Sequence, residues 1–106
     1  MFARNVSLRL KSNMLSDYMR TFDKDVLPLL TRQNGFKDEI TFAGSGGVDL
    51  TAISLWENKT DAEAYNTNTY PQVLKMLGRF IEGTPKVQTS DVVNSTFHKV
   101  ALHAAA

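Results

Sequence analysis

The sequence predicts a single α+β domain: an antiparallel sheet with helices packed on one of its faces. Three observations carry this expectation. Several short runs alternate polar and apolar residues, two longer runs carry apolar residues at three- and four-residue steps, and a glycine-rich link joins two of the alternating runs. At 106 residues the chain has room for one hydrophobic core, so residues 1–106 read as one domain, with 101–106 as a frayed tail.

The first alternating run is 2–10, with Phe2, Val6, Leu8 and Leu10 on one parity and Ala3, Asn5, Ser7 and Arg9 on the other. That is a half-buried strand. Lys11, Ser12 and Asn13 turn the chain into a long amphipathic helix whose face is Leu15, Tyr18, Met19, Phe22, Val26, Leu29 and Leu30. Pro28 has no amide to bond the carbonyl of Lys24, so a bend is expected there, and Asn34 with Gly35 ends the helix.

Residues 36–42 alternate again, with Phe36, Ile40 and Phe42 expected on one side and Lys37, Glu39 and Thr41 on the other. Gly44, Ser45, Gly46 and Gly47 separate this strand from a third at 48–56. A phosphate-binding loop needs a helix after its glycines; a strand follows these, so they form a hairpin link. Asn58 can cap the next helix, Tyr70 and Pro71 break it, and Val73, Leu74, Leu77, Phe80 and Ile81 continue its apolar face until Gly83. The β-branched stretch 87–100 reads as an overlong last strand.

The order strand, helix, strand, strand, helix, strand is the ferredoxin-like βαββαβ arrangement, a four-stranded antiparallel sheet with helices on one face. Its other face is left bare. Two copies packing those faces together would cover it, which predicts a homodimer.

Composition excludes several functional classes. Twelve Lys and Arg against eleven Asp and Glu give a formal charge of +1 with no basic stripe, so nucleic acid is not an expected partner. The absence of cysteine removes disulfides, thiolate metal sites and a cysteine nucleophile. No apolar run suits a signal peptide or a membrane span, so no membrane partner is expected and a cytoplasmic location is the default. There is no G-x-S-x-G elbow and no evident Ser, His and acid constellation.

With this element order in place, the opening strand with Asn5, the segment Ile53 to Lys59, Asp61 to Tyr65, and Tyr70, Pro71, Gln72 and Val73 give the chain a recognisable pattern. It resembles the antibiotic-biosynthesis-monooxygenase-like family of the dimeric α/β-barrel superfamily. The resemblance spans nearly the whole chain. It implies a dimeric α/β barrel and a site between sheet and helices; the family includes cofactor-free oxygenases of aromatic polyketides and haem-degrading proteins.

The candidate site residues are Asn5, Trp56, Tyr65 and Tyr70. The resemblance implies that Asn5 points into the cleft, where its amide could orient a substrate oxygen; the alternative is an amide satisfied within the sheet. Trp56 is either a stacking platform for a planar substrate or core. Tyr65 stands where the haem-degrading branch has a second tryptophan, and its hydroxyl, like that of Tyr70, either bonds a phenolate ligand or packs. That branch's axial histidine falls on Lys75, which is no haem ligand. His98 and His103 are poorly spaced for a metal.

Glu57, Asp61 and Glu63 read as a solvated helix start, and Arg4, Arg9 and Arg79 as surface residues or anchors for an anion. The resemblance implies a cofactor-free, metal-free oxygenase taking a small aromatic or polyketide-like substrate. The alternative is a noncatalytic dimeric small-molecule-binding protein.

Overall fold

The computed structural model describes residues 1–100, which leaves His103 and the expected frayed tail outside the described residues. Four strands, β1 (Phe2–Leu10), β2 (Phe36–Ala43), β3 (Asp49–Trp56) and β4 (Ile81–Asp91), form one antiparallel sheet in the order β2-β3-β1-β4. This is the expected ferredoxin-like topology. The glycine link is a hairpin: β2 pairs with β3, the Gly44 amide bonds the Asp49 carbonyl at 2.8 Å, and Gly46 and Gly47 take positive φ angles of 97° and 69°.

The first helical segment has three parts. Helix α1 (Leu15–Thr21) passes through a π-helical turn, Phe22–Val26, into α2 (Leu27–Thr31). The Leu27 amide reaches back to the Phe22 carbonyl, so the wider turn lies immediately before Pro28 and relieves the clash the proline ring would otherwise cause. The expected bend takes that form. Helix α3 (Lys59–Asn68) breaks at Thr69, and α4 (Tyr70–Leu77) restarts with Pro71 in its first turn.

One core lies between these helices and the sheet. Phe2, Leu10, Leu50 and Trp56 from the strands meet Tyr18, Phe22, Val26 and Leu30 from the first helical segment and Ala62, Tyr65, Val73 and Leu77 from the second. Among the described residues no helix is long and apolar enough to cross a membrane.

Three expectations are corrected. In β2 the register shifts between Phe36 and Asp38: Phe36 pairs with Trp56 and Asp38 with Leu55, leaving Lys37 as the extra residue of a bulge. The bulge reverses the alternation beyond it. Phe36 faces the core, but Glu39 and Thr41, opposite Ser54 and Ala52, take the inner side, and Ile40 and Phe42 are 49% and 52% exposed on the outer one.

The last strand starts at Ile81, after a short 3-10 turn at Gly78–Phe80, so Ile81 and Gly83 belong to a strand rather than a helix. It also ends at Asp91, and His98 lies beyond it instead of within it. Strand β4 is an edge strand, and its pairing jumps from Lys86 opposite Ser7 to Glu82 opposite Arg9. Gly83, with φ of 75°, and Pro85, which has no amide to donate, sit in that bulge.

Candidate functional site

A cleft opens between the inner face of the sheet and the two helical segments. Val6 and Leu8 of β1, Ala52 and Ser54 of β3, Tyr18 of α1 and Phe22 at the start of the π turn, and Tyr65, Tyr70 and Val73 from α3 and α4 line it. Two charged side chains interrupt the apolar wall: Arg4 and Glu39. The free volume is about 50 Å³, room for a few water molecules.

The alternation of β1 decides which of its residues reach this space. Arg4 and Val6 line the cleft and are 3% and 7% exposed. Asn5 lies between them and therefore projects to the other face, in the row it forms with its partners Ile53 and Gln88. The structure thus separates Asn5 from the cleft residues that the resemblance placed it among. Arg4, two positions from Phe2 on the core parity, takes the inward place.

Trp56 is fully buried. Its indole Nε1 donates to Ser54 Oγ at 2.8 Å, and its ring meets Phe36 edge-on at 5.6 Å and Tyr65 at 5.1 Å. Every face of the indole is used by the core, and no free face is left for a ligand to stack on. Tyr65 and Tyr70 do come together in the cleft, their ring centroids 6.1 Å apart. Tyr65 is 3% exposed, and burial pushes its hydroxyl up to about 12 against the opposing pull of the Arg4 charge. Tyr70, at the helix break, is half-buried. Burial likewise holds Tyr18 far above the ordinary phenol range, with the Glu39 charge adding to it.

Arg4 is the most unusual group. Its Nη2 donates to Asn66 Oδ1 at 2.8 Å, and its guanidinium carbon lies 4.0 Å from the Tyr70 ring centroid and 5.2 Å from that of Tyr65. Its Nε has no hydrogen-bond partner, and among the described residues no carboxylate forms an ion pair with it. A desolvated cation left without a counter-ion is costly, by several kcal/mol in most settings.

Glu39 is the second. The β2 bulge turns it inward, Thr41 Oγ1 donates to its Oε2 at 2.6 Å, and it lies half-buried on the cleft wall. Burial raises its carboxyl above the ordinary range; the Thr41 bond opposes that shift, and the Asp23 charge adds to it. The remaining sequence candidates stay apart. Lys75 is exposed on α4, and His98 pairs with Asp38 at the outer side of β2. No group of three or more metal-ligating side chains exists among the described residues.

The sequence offered Arg4 only as a surface residue or an anchor for an anion, without a place in the cleft, and put Glu39 on the side of β2 opposite Phe36 with no role in a site. The signal for Arg4 was available in its parity with Phe2 and Val6. Nothing in the alternation of 36–42 announces the bulge that turns Glu39 inward.

On the outer face, Ile40, Phe42, Ile53 and Leu55 form the floor of an open apolar groove of about 710 Å³, roofed by the segment from Val92 to His98. Phe97 on that segment is 81% exposed.

No family model matches the chain, and neither does any curated protein. Solved structures do. The monooxygenase from ActVA-Orf6 of Streptomyces coelicolor, in complex with the ligand nanaomycin D, superposes with a TM-score of 0.75 at 13% identity, over 92% of each chain. SnoaB of Streptomyces nogalater, a cofactor-independent oxygenase, gives 0.75 at 9% identity over 90% of this chain and 95% of its own. A candidate antibiotic biosynthesis monooxygenase of Bordetella bronchiseptica gives 0.75 at 14% identity over 88% and 97%. Such identities establish fold and not activity. The chain is an α+β protein with the ferredoxin-like fold of the antibiotic biosynthesis monooxygenases.

Proposed function

We propose that the protein is a cofactor-independent oxygenase of a small aromatic, anthrone-like substrate, working in the cleft between sheet and helices. The observation that carries this reading is the Glu39 carboxyl, half-buried beside Tyr18 on an otherwise apolar, tyrosine-lined wall with its proton affinity raised. Such a group is suited to take a proton from carbon. The likeness in fold to oxygenases that use no cofactor supports the same reading.

The chemistry balances without a cofactor. Glu39 accepts a proton from the methylene between two aryl rings, leaving a carbanion delocalised into the ring oxygen. That anion reduces dioxygen and bonds to it, giving a peroxide that takes back the proton; loss of water from the hydroperoxide leaves a carbonyl. One oxygen atom enters the product and the other leaves as water. Tyr70, hydroxyl-bearing and half-buried at the helix break, donates to the ring oxygen as negative charge develops there, and Tyr65 packs against the ring.

A three-ring substrate needs far more than about 50 Å³, so Tyr70 and the start of α4 must swing outward at Thr69 for it to enter. That small volume is also what favours a second reading, a noncatalytic module that binds a smaller ligand. In both readings the protein is a homodimer, formed by two copies covering the exposed Ile40 and Phe42 of the outer face.

Oxygen uptake on an anthrone separates the readings. The oxygenase reading predicts protein-dependent uptake with one carbonyl formed per dioxygen, lowered about a hundredfold by Glu39→Gln. No uptake, or uptake indifferent to Glu39→Gln and Tyr70→Phe, contradicts it. A small aromatic that copurifies without turnover supports the binding module.

A further inference from the structure

Beside the cleft, and sharing Arg4 with it, is a second cavity of about 190 Å³ between β1, β4 and α3. Arg4 lines both spaces. We infer that this side pocket is an oxyanion site, and that it receives a carboxylate carried by the aromatic ligand of the cleft. The ring part of the inference rests on the aromatic-cleft reading above; the anion part rests on Arg4 alone.

A guanidinium offers donors in a planar fork that matches a carboxylate with two parallel hydrogen bonds. At 3% exposure Arg4 has lost its water, yet only Asn66 accepts from it and Nε donates to no acceptor at all. Stacking on Tyr70 and Tyr65 offsets part of the lost hydration but supplies no acceptor in the guanidinium plane. One donor of the fork, Nε, is thus held in place with nothing to bond, beside an Nη2 that reaches Asn66.

The surroundings favour an anion over a neutral acceptor. Lys59 and Glu63 also line the side pocket, and they pair with each other at 3.8 Å, which leaves Arg4 as its uncompensated charge. Asn66 and Thr89 add polar atoms at its wall. The side pocket's polar atoms, from Lys59, Glu63, Asn66 and Thr89, suit the charged end of a ligand, and the ring belongs on the apolar, tyrosine-lined side of Arg4, which must open at Thr69 to admit it. The ligand class that satisfies both spaces is an aromatic acid.

Calorimetric titration with 2-naphthoate, 2-naphthamide and acetate at neutral pH tests this. The expected result is naphthoate binding at least about tenfold more tightly than naphthamide, with acetate weaker than either. The preference should vanish in Arg4→Met. Equal affinities for acid and amide overturn the inference, as does a preference that persists in Arg4→Met. Acetate binding as tightly as naphthoate overturns the link between anion and ring and points to a free small oxyanion.

If Arg4→Met does not fold, Arg4→Lys retains the charge and lacks the Nε donor. Its preference should fall several-fold, and an unchanged one overturns the inference. The oxygenase reading is judged separately. Naphthoate selectivity without anthrone turnover leaves the anion site standing, and turnover without acid selectivity removes the site and leaves the oxygenase.

Discussion

The two faces of one sheet differ in what they do with polar groups. The inner face buries a cation, a carboxyl and three tyrosines within a cleft of about 50 Å³, and hydrogen bonds only some of them. The outer face has the larger space, about 710 Å³, but its floor is plain apolar surface, and the acidic groups that line it are Glu39, which it shares with the inner cleft, and Asp38, which is already hydrogen-bonded to His98. Volume alone would choose the outer groove. Unsatisfied desolvated charge chooses the inner cleft, because such groups persist where a ligand completes them.

The largest expected effect comes from cutting into the inner face where it is core rather than site. Trp56→Ala removes a side chain packed by Phe36 and Tyr65 and strands the Ser54 hydroxyl. It should cost about 3 to 5 kcal/mol in urea unfolding. A loss under about 1 kcal/mol, together with lost ligand affinity, would instead make Trp56 a stacking platform.

Next in size is an outer-face change. Ile40→Lys with Phe42→Lys places two like charges on the exposed apolar strip. Sedimentation should turn from dimer to monomer, with monomer stability altered by less than about 0.5 kcal/mol per site. A wild type that is already monomeric removes the outer face from the assembly argument.

Glu39→Gln sharpens the comparison through pH. Its folded carboxyl lies above the unfolded value, so the folded state favours the protonated form. No penalty exists below the ordinary carboxylate range; the penalty grows as pH rises through the folded value and is full at neutrality. Glu39→Gln should therefore stabilise at pH 7 and not at pH 3, by less than about 1 kcal/mol because the group is only half-buried. Thermal melts at the two pH values check the sign. The smallest effect is that of Asn5→Ala, expected within about 0.5 kcal/mol and without influence on oxygen uptake.

How much of this was legible in sequence follows from local geometry. Strand β1 was read correctly because alternation survives unbroken from Phe2 to Leu10, and that same alternation already set Asn5 apart from Phe2 and Val6. The resemblance placed Asn5 in the cleft against the parity of its own strand. Glu39 was hidden because one bulged residue, Lys37, reverses every side chain after it. The start of β4 was hidden because Leu77, Phe80 and Ile81 fit helical spacing equally well, and only the 3-10 turn converts them into a strand entry. The helix break beside which Tyr65 and Tyr70 line the cleft was legible, since a break marked by Pro71 is plain in any sequence.

The central claim, that the inner face is the one that binds, is tested most directly by amide chemical-shift mapping of the labelled protein titrated with 2-naphthoate. Shifts are expected at Arg4, Ser54, Tyr65 and Tyr70, with Ile40, Phe42 and Leu55 unmoved. Shifts confined to Ile40, Phe42 and Leu55 would move the site to the outer groove and contradict it.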